Sequence, residues 1–224
     1  MTRIVIIGSG AVAAELTTYI EDRNRHSNSN DQWEVMGYLD SEENIGKYWA
    51  KYKFKKPVLA DIYSYEIKGD EYFIVGISNI DFRKRMIEVI TGKGGRLITF
   101  IHPSVIIAET AVLGSGNVIY PFCIIGPNTV IGDNNLVTAY SFISHDCRIG
   151  HGNFFSTAGL SGSVTVGDEN YFGIRSTVLP GVMIGNKNTI QAGMTVDKNI
   201  SDDSLIFHRF KEKVIAINNQ GKNG

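Results

Sequence analysis

The chain has almost no cysteine: two residues, Cys123 and Cys147, among 224. Two are too few for a disulfide framework, and both read as small buried side chains in a reducing cytosol. Charge of either sign is not in excess, with 22 Lys and Arg against 23 Asp and Glu and a formal net charge of −1. That balance gives no electrostatic reason to expect nucleic acid or an anionic membrane as partner. An anionic ligand must therefore be held by local groups. Long apolar runs are also missing. The opening "MTRIVIIGSG" stays apolar for only a few residues before glycine, too short for a signal peptide or a membrane span. The expectation is a cytoplasmic protein. Its 43% hydrophobic content suffices for a buried core, in one large domain or two small ones.

What is present divides the chain in two. "RIVIIGSGAVAAELTTYI" opens with a short Ile/Val run, then Gly8-Ser9-Gly10, then a helix-like pattern. Strand, tight glycine turn and helix N-terminus form the first unit of a nucleotide-binding α/β domain. The pattern is G-x-G-x-x-A with Ala13 in the third position; the glycines could equally do no more than permit the turn. "WEVMGYLDS" reads as a second strand ending at Asp40-Ser41. This carboxylate comes some thirty residues after the glycine turn, a longer interval than the dinucleotide fingerprint has, which argues against NAD. "EYFIVGIS" reads as a third strand ending at Gly76, and "NIDFRKRMIEVITGKG" as an amphipathic helix capped near Asn79 or Asp81. The expected order is β-α-β-β-α-β within residues 1–99, a Rossmann-like domain sized for a mononucleotide.

From Phe100 the pattern changes. Apolar residues recur every six positions at Ile101, Ile107, Leu113, Ile119, Ile125, Ile131, Val137, Ile143 and Ile149. After a one-residue slip they continue at Val166, Phe172, Val178, Ile184, Ile190 and Val196. Neither the helical period of 3.6 nor the strand period of two produces sixes. A triangular solenoid does, with one hexapeptide per side and three per coil. About five coils fit between Ile101 and Val196 on that count. Residues 100–200 are expected to form this parallel β-helix and 201–224 a tail.

These blocks in this order ("IVIIGSG", "GYLDS", "PVLADI", "IVGISNIDFRKRM", "HPSVIIAETAVLGSGNVI", "SHDCRIG", "GIRSTVLPGVMIG") resemble the NeuD/PglD-type sugar O- and N-acetyltransferases over nearly the full length. The resemblance implies a left-handed β-helix, although general strand sterics favour right-handed crossovers. It implies acetyl-CoA as cosubstrate, no metal, a nucleotide-linked amino sugar as acceptor, a role in surface glycan (O-antigen) biosynthesis, and a homotrimer with sites at the subunit interfaces.

Acetyl transfer needs a base to take a proton from the attacking nucleophile, and a neutral imidazole oriented by a carboxylate suits this. The resemblance carries those roles onto His145 and Asp146. Neighbouring residues on a flat strand point to opposite faces, so the two meet only if the chain bends there. Carried over in the same way, Gly162, Ile174, Ala192, Gly193 and Lys198 face the CoA. Gly8, Ser9, Gly10, Asp40, Ser41 and Gly76 face the nucleotide, with phosphate at the helix N-terminus. His102 is expected to shape a linker, His26 lies in a polar loop, and His208 is near the C-terminus. His151 and His145 lack the spacing and third partner that a zinc site would need.

The sequence departs from the family at four places. Arg148 stands where relatives have an aliphatic or small residue; it could line the cleft, pair with Asp146 or be solvated. Phe154-Phe155 replaces a further histidine that contacts the acetyl carbonyl, which leaves a backbone N–H near Gly162 for that role. "AVA" (Ala11, Val12, Ala13) stands where many relatives have "GGH", so the nucleotide base stays open. The tail, with Phe207, Arg209, Lys211 and Lys213, lacks the Gly-x-Pro-Ala-Lys segment; it could serve the CoA or simply pack. Two alternatives stand beside N-acetylation: an O-acetyltransferase on sialic acid or another glycan unit, and a non-catalytic sugar-nucleotide-binding or assembly module.

Overall fold

In the computed structural model the described residues are 1–41, 44 and 49–207. His208 and the tail residues Arg209, Lys211 and Lys213, which could serve the CoA or simply pack, lie outside them.

The first part is a parallel sheet. Strand β1 (Thr2–Ile7) leads into helix α1 (Ala11–Arg25), then β2 (Trp33–Leu39), the short α2 (Trp49–Tyr52), β3 (Val58–Ala60), β4 (Glu71–Val75), α3 (Ile80–Gly92) and β5 (Arg96–Leu97). The strand order is β3-β2-β1-β4-β5, with every pair parallel. Strand β1 is apolar at successive positions because both of its faces are covered. Ile4 and Ile6 pack on the side of α1, Val5 and Ile7 on the side of α3. Helix α1 buries Ala13, Leu16 and Ile20, one face at helical spacing. Helix α3 begins as expected: the Asn79 side chain caps it by accepting the Phe82 N–H. The order of strands reverses between β1 and β4, which opens a crevice at their carboxyl ends.

The rest is a three-sided parallel β-solenoid built from two-residue strands. Its sheets have six, five and seven strands. Pairs such as Ile106↔Ile124↔Phe142 lie eighteen residues apart, one full coil. The inward residues follow the six-residue count. Ile119, Ile125, Ile131, Val137, Ile143 and Ile149 are buried, and so are Val166, Phe172, Val178, Ile184, Ile190 and Val196. The slip lies at the corner after Phe155: Phe142 pairs with Gly159 and Phe154 with Tyr171, seventeen residues on. The ladder runs beyond Val196, since Leu205–Ile206 pairs with Thr189–Ile190.

Two devices hold the corners. The first is a left-handed backbone residue once per hexapeptide from Gly116 to Gly193, among them Phe122, Asn128, Asn134, Tyr140, Asp146, Ser163, Glu169 and Arg175. The second is a buried asparagine column, Asn117, Asn135, Asn153, Asn170 and Asn188, stacked one per coil. In it Asn135 Nδ2 donates to Asn117 Oδ1 (3.1 Å) and Asn153 Nδ2 to Asn135 Oδ1 (3.0 Å). Their remaining protons satisfy the Gly132, Gly150, Gly167 and Gly185 carbonyls, which the turn leaves without a ladder partner.

The two parts share a core. Phe100, Val118, Leu136 and Phe154 point outward from one solenoid side, yet they are buried with Ile4, Leu16, Trp33 and Tyr38. His102, 5% exposed, adds a polar tie: its Nε2 lies 3.0 Å from Asp22 Oδ2 on α1, and its Nδ1 lies 2.8 Å from Ser104 Oγ.

Candidate active site

The side chains of His145 and Asp146 do meet. Asp146 has φ +59°, a left-handed conformation that asparagine and aspartate tolerate better than most residues. The backbone reversal turns its carboxylate back toward its neighbour, and His145 Nδ1 lies 2.8 Å from Asp146 Oδ2. A carboxylate only accepts, so Nδ1 carries the proton in the neutral ring and Nε2 holds the free lone pair. The other carboxylate oxygen, Oδ1, accepts from Asn128 Nδ2 at 2.6 Å. Asn128 first and His145 second hold the Asp146 carboxyl below the usual carboxylate range.

Gly162 lies one coil beyond His145, and the imidazole occupies the space where a side chain would be. A Cβ there would come within 2.5 Å of Nε2. Among the described residues the Gly162 N–H donates to no acceptor, so a donor is left beside the free imidazole nitrogen. Phe154 and Phe155, in place of the family's further histidine, are 8% and 1% exposed. They pack against Tyr171 and Phe172 with ring centroids at 5.3 and 4.6 Å. They are core residues.

Arg148 binds backbone rather than the carboxylate. Its Nη1 donates to the Asn128 carbonyl at 2.6 Å and to that of Cys147 at 3.0 Å. His151 stays in an exposed turn, with Nδ1 accepting the Asp133 N–H at 2.9 Å. No group of three His, Cys, Asp or Glu able to hold a metal ion occurs among the described residues. Both cysteines are buried. Burial pushes the Cys123 thiol up to about 11 and raises that of Cys147.

The residues assigned to CoA fall on two edges of the prism. Each of Ile143, Leu160, Val178 and Val196 pairs with the next. Two residues past each come His145, Gly162, Pro180 and Lys198, a single column along one edge. At about 4.8 Å per coil, Lys198 stands roughly 14 Å from His145 along the axis. Ile174, Ala192 and Gly193 lie on the next edge. There Ile174 and Ala192 line a groove of about 630 Å³ with Tyr171, Gln191 and Phe207. The two sets do not line one groove within a single chain.

The residues assigned to the nucleotide are brought together, Ser41 excepted. Gly8, Ser9, Gly10, Asp40 and Gly76 line a cavity of about 390 Å³ at the crevice between β1 and β4. Asn44 and Tyr52, which the sequence reading did not single out, line it too. Asp40 is buried and already engaged. It accepts the Ser9 N–H at 2.9 Å, the Ser9 hydroxyl, and the Ser41 N–H at 2.8 Å. Its role here is to pin the glycine turn. Gly76 is a packing residue, because a Cβ there would meet Ala13 Cα at 3.0 Å. Helix α1 has no acidic residue in its first turn, and Ala11 and Val12 of that turn line the cavity; the carboxylate that shares it, Asp40, is already bound to Ser9 and Ser41.

No protein-family model matches the chain, and no curated protein does. Solved structures do. PerB from Caulobacter crescentus, crystallised with CoA and GDP-perosamine, superposes with TM-score 0.77 at 24% identity, covering 92% of this chain and 93% of its own. The acetyltransferase domain of PglB from Neisseria gonorrhoeae, crystallised with acetyl coenzyme A, gives 0.75 at 20% identity, with 91% and 94% covered. WeeI from Acinetobacter baumannii gives 0.75 at 19% identity, with 92% and 96% covered. The fold of this chain is thus the one its sequence resembles, that of the NeuD/PglD-type sugar acetyltransferases with hexapeptide repeats.

Proposed function

We propose that the protein moves acetyl from acetyl-CoA to the amino group of a nucleotide-linked amino sugar, with His145 as general base and Asp146 as its orienting carboxylate. The observation that carries this reading is the imidazole itself: proton on Nδ1, Nε2 free, the ring lodged over Gly162 beside an unpaired N–H. The shared fold with PerB and the PglB domain supports the substrate classes. The amine attacks the thioester carbonyl and the C–N bond forms. Nε2 takes the proton, the Gly162 N–H faces the developing oxyanion, and the C–S bond breaks. The proton then passes to the departing CoA thiolate.

In this reading residues 1–99 are the Rossmann-like nucleotide-sugar domain and residues 100–200 the left-handed acetyl-transfer domain, with 201–224 following. The phosphate lies at the α1 N-terminus. Pantetheine follows the His145 edge toward Lys198, whose charge suits the CoA phosphates. A ligand that also touches Ile174 and Ala192 is held between the edge of one copy and the next edge of its neighbour. Three copies around an axis close that arrangement. The outward Ile106, Val112 and Ile124, at 65%, 59% and 47% exposure, provide the apolar contact.

The test pairs wild type with His145→Ala, using acetyl-CoA and a panel of UDP-, GDP- and dTDP-linked 4-amino sugars. The expected loss is about 10²- to 10⁴-fold in kcat for a folded protein of unchanged sedimentation. Near-wild-type turnover in the variant overturns the reading. Preference for hydroxyl acceptors would move it to O-acetylation, and failure of CoA to bind by calorimetry would favour a non-catalytic module.

A further inference from the structure

His145 and Asp146 are exposed, with side-chain accessibilities of 57% and 47%. An exposed ion pair is weak by itself and shares its geometry with water. Here the carboxylate is held from behind by a column of corner residues at eighteen-residue steps, 110, 128 and 146. The Asn128 N–H donates to Thr110 Oγ1 at 2.9 Å. Its carbonyl accepts from Arg148 Nη1 at 2.6 Å. Its side-chain amide donates to Asp146 Oδ1 at 2.6 Å. Asn128 and Asp146 share the left-handed conformation, with φ +56° and +59°, so one side chain stands over the other. Each Asp146 oxygen then has its own donor, Asn128 on Oδ1 and His145 on Oδ2.

We propose that Asn128 is a positioning residue for the His145–Asp146 pair: clamped by Thr110 and Arg148, its carboxamide locks the carboxylate in the orientation that keeps the imidazole proton on Nδ1. The proposal rests on His145 being the base. The titratable groups facing Asp146 are His145, Arg148 and the buried Cys147 thiol. Asn128 contributes the largest share of what holds the carboxyl low, ahead of His145.

Two substitutions test this. Asn128→Gly removes the carboxamide while suiting the left-handed backbone. The expectation is a kcat lower by about 10- to 100-fold with both KM values nearly unchanged, and a ratio to wild type that is flat with pH. Asn128→Asp keeps the shape but sets a second carboxylate against Asp146, so the two share a proton. Its activity relative to wild type should be lowest at alkaline pH. It should rise as the pH falls and the pair takes up a proton, because a carboxylic O–H then donates where the amide did. A ratio flat with pH in Asn128→Asp, or wild-type kcat in Asn128→Gly, overturns the proposal. Should Asn128→Gly fail to fold, the Asn128→Asp profile carries the test.

Imidazole ¹⁵N spectra of His145 give a readout independent of turnover. Wild type should show the Nδ1–H tautomer and Asn128→Gly a mixture. An unchanged spectrum in Asn128→Gly counts against positioning even if His145→Ala retains activity and the base assignment falls.

Discussion

At the scale of single residues, the candidate site depends on what is missing at Gly162 as much as on what is present at His145. The ring lies where a methyl group would stand, and a Cβ would also approach Nδ1 to 3.1 Å. Gly162→Ala therefore must push the imidazole outward, off the line to an acceptor amine. The expected result is a kcat lower by about a hundredfold with little change in Tm, since Gly162 is not among the positive-φ glycines and the atoms nearest an added Cβ all belong to the exposed His145 ring. Wild-type kcat with normal folding would show that the ring has another position from which to act. The His-Asp pair was legible in the sequence because both residues appear together in register. Their contact was not, because adjacent residues meet only through the positive φ of Asp146, a property of the corner. Arg148 was illegible for a related reason. Its partners are the carbonyls of Asn128 and Cys147, and a backbone acceptor leaves no mark in a side-chain pattern.

At the scale of elements, each two-residue strand is too short to persist alone, and order comes from repetition across coils. The corner rule asks for one left-handed residue per hexapeptide. Most positions meet it with asparagine, aspartate or glycine, or with an unbranched side chain. Thr157 is the exception that falls in the short coil, with φ +48°. A β-branched residue in that region is strained by about 1–2 kcal/mol. Thr157→Asn should relieve part of this and stabilise the protein by about 1 kcal/mol in urea unfolding. A loss of stability would mean that the Thr157 side chain supplies more than its backbone costs. The six-residue count was readable up to Ile149 and again from Val166 because burial selects apolar side chains there, while the inward Phe155 and Leu160 of the short coil were not read as part of it. The corner that lost a residue was not, because a deletion between two strands leaves the inward residues apolar on both sides. Pairing of Phe154 with Tyr171 locates it.

At the scale of the whole molecule, the three solenoid sides have similar outward residues but different fates. Phe100, Val118, Leu136 and Phe154 are sealed against α1 and the sheet, while Ile106, Ile124 and Phe142 remain exposed at 65%, 47% and 42%. Since that shared core joins both parts, and Lys84 on α3 pairs with Glu169 on the solenoid, the two should unfold as a unit. One calorimetric transition is expected, with calorimetric and van't Hoff enthalpies in agreement. Two resolved transitions would mean that the shared core contributes less than either part does alone.

By itself the sequence determined the period, and with it the solenoid, because inward stacking demands an apolar residue every sixth position. It likewise determined the strand–glycine–helix start, and it placed a histidine and a carboxylate on one corner. Only the tertiary structure decided which solenoid side is covered, since outward Ile and Val look alike in every hexapeptide. It alone decided that Asp40 is consumed in holding the Ser9 turn. It also brought Asn128, eighteen residues upstream, against Asp146. The physical reason is common to all three: burial periodicity is a local property of the chain, whereas which surfaces and hydrogen-bonding groups meet depends on how segments distant in sequence pack together.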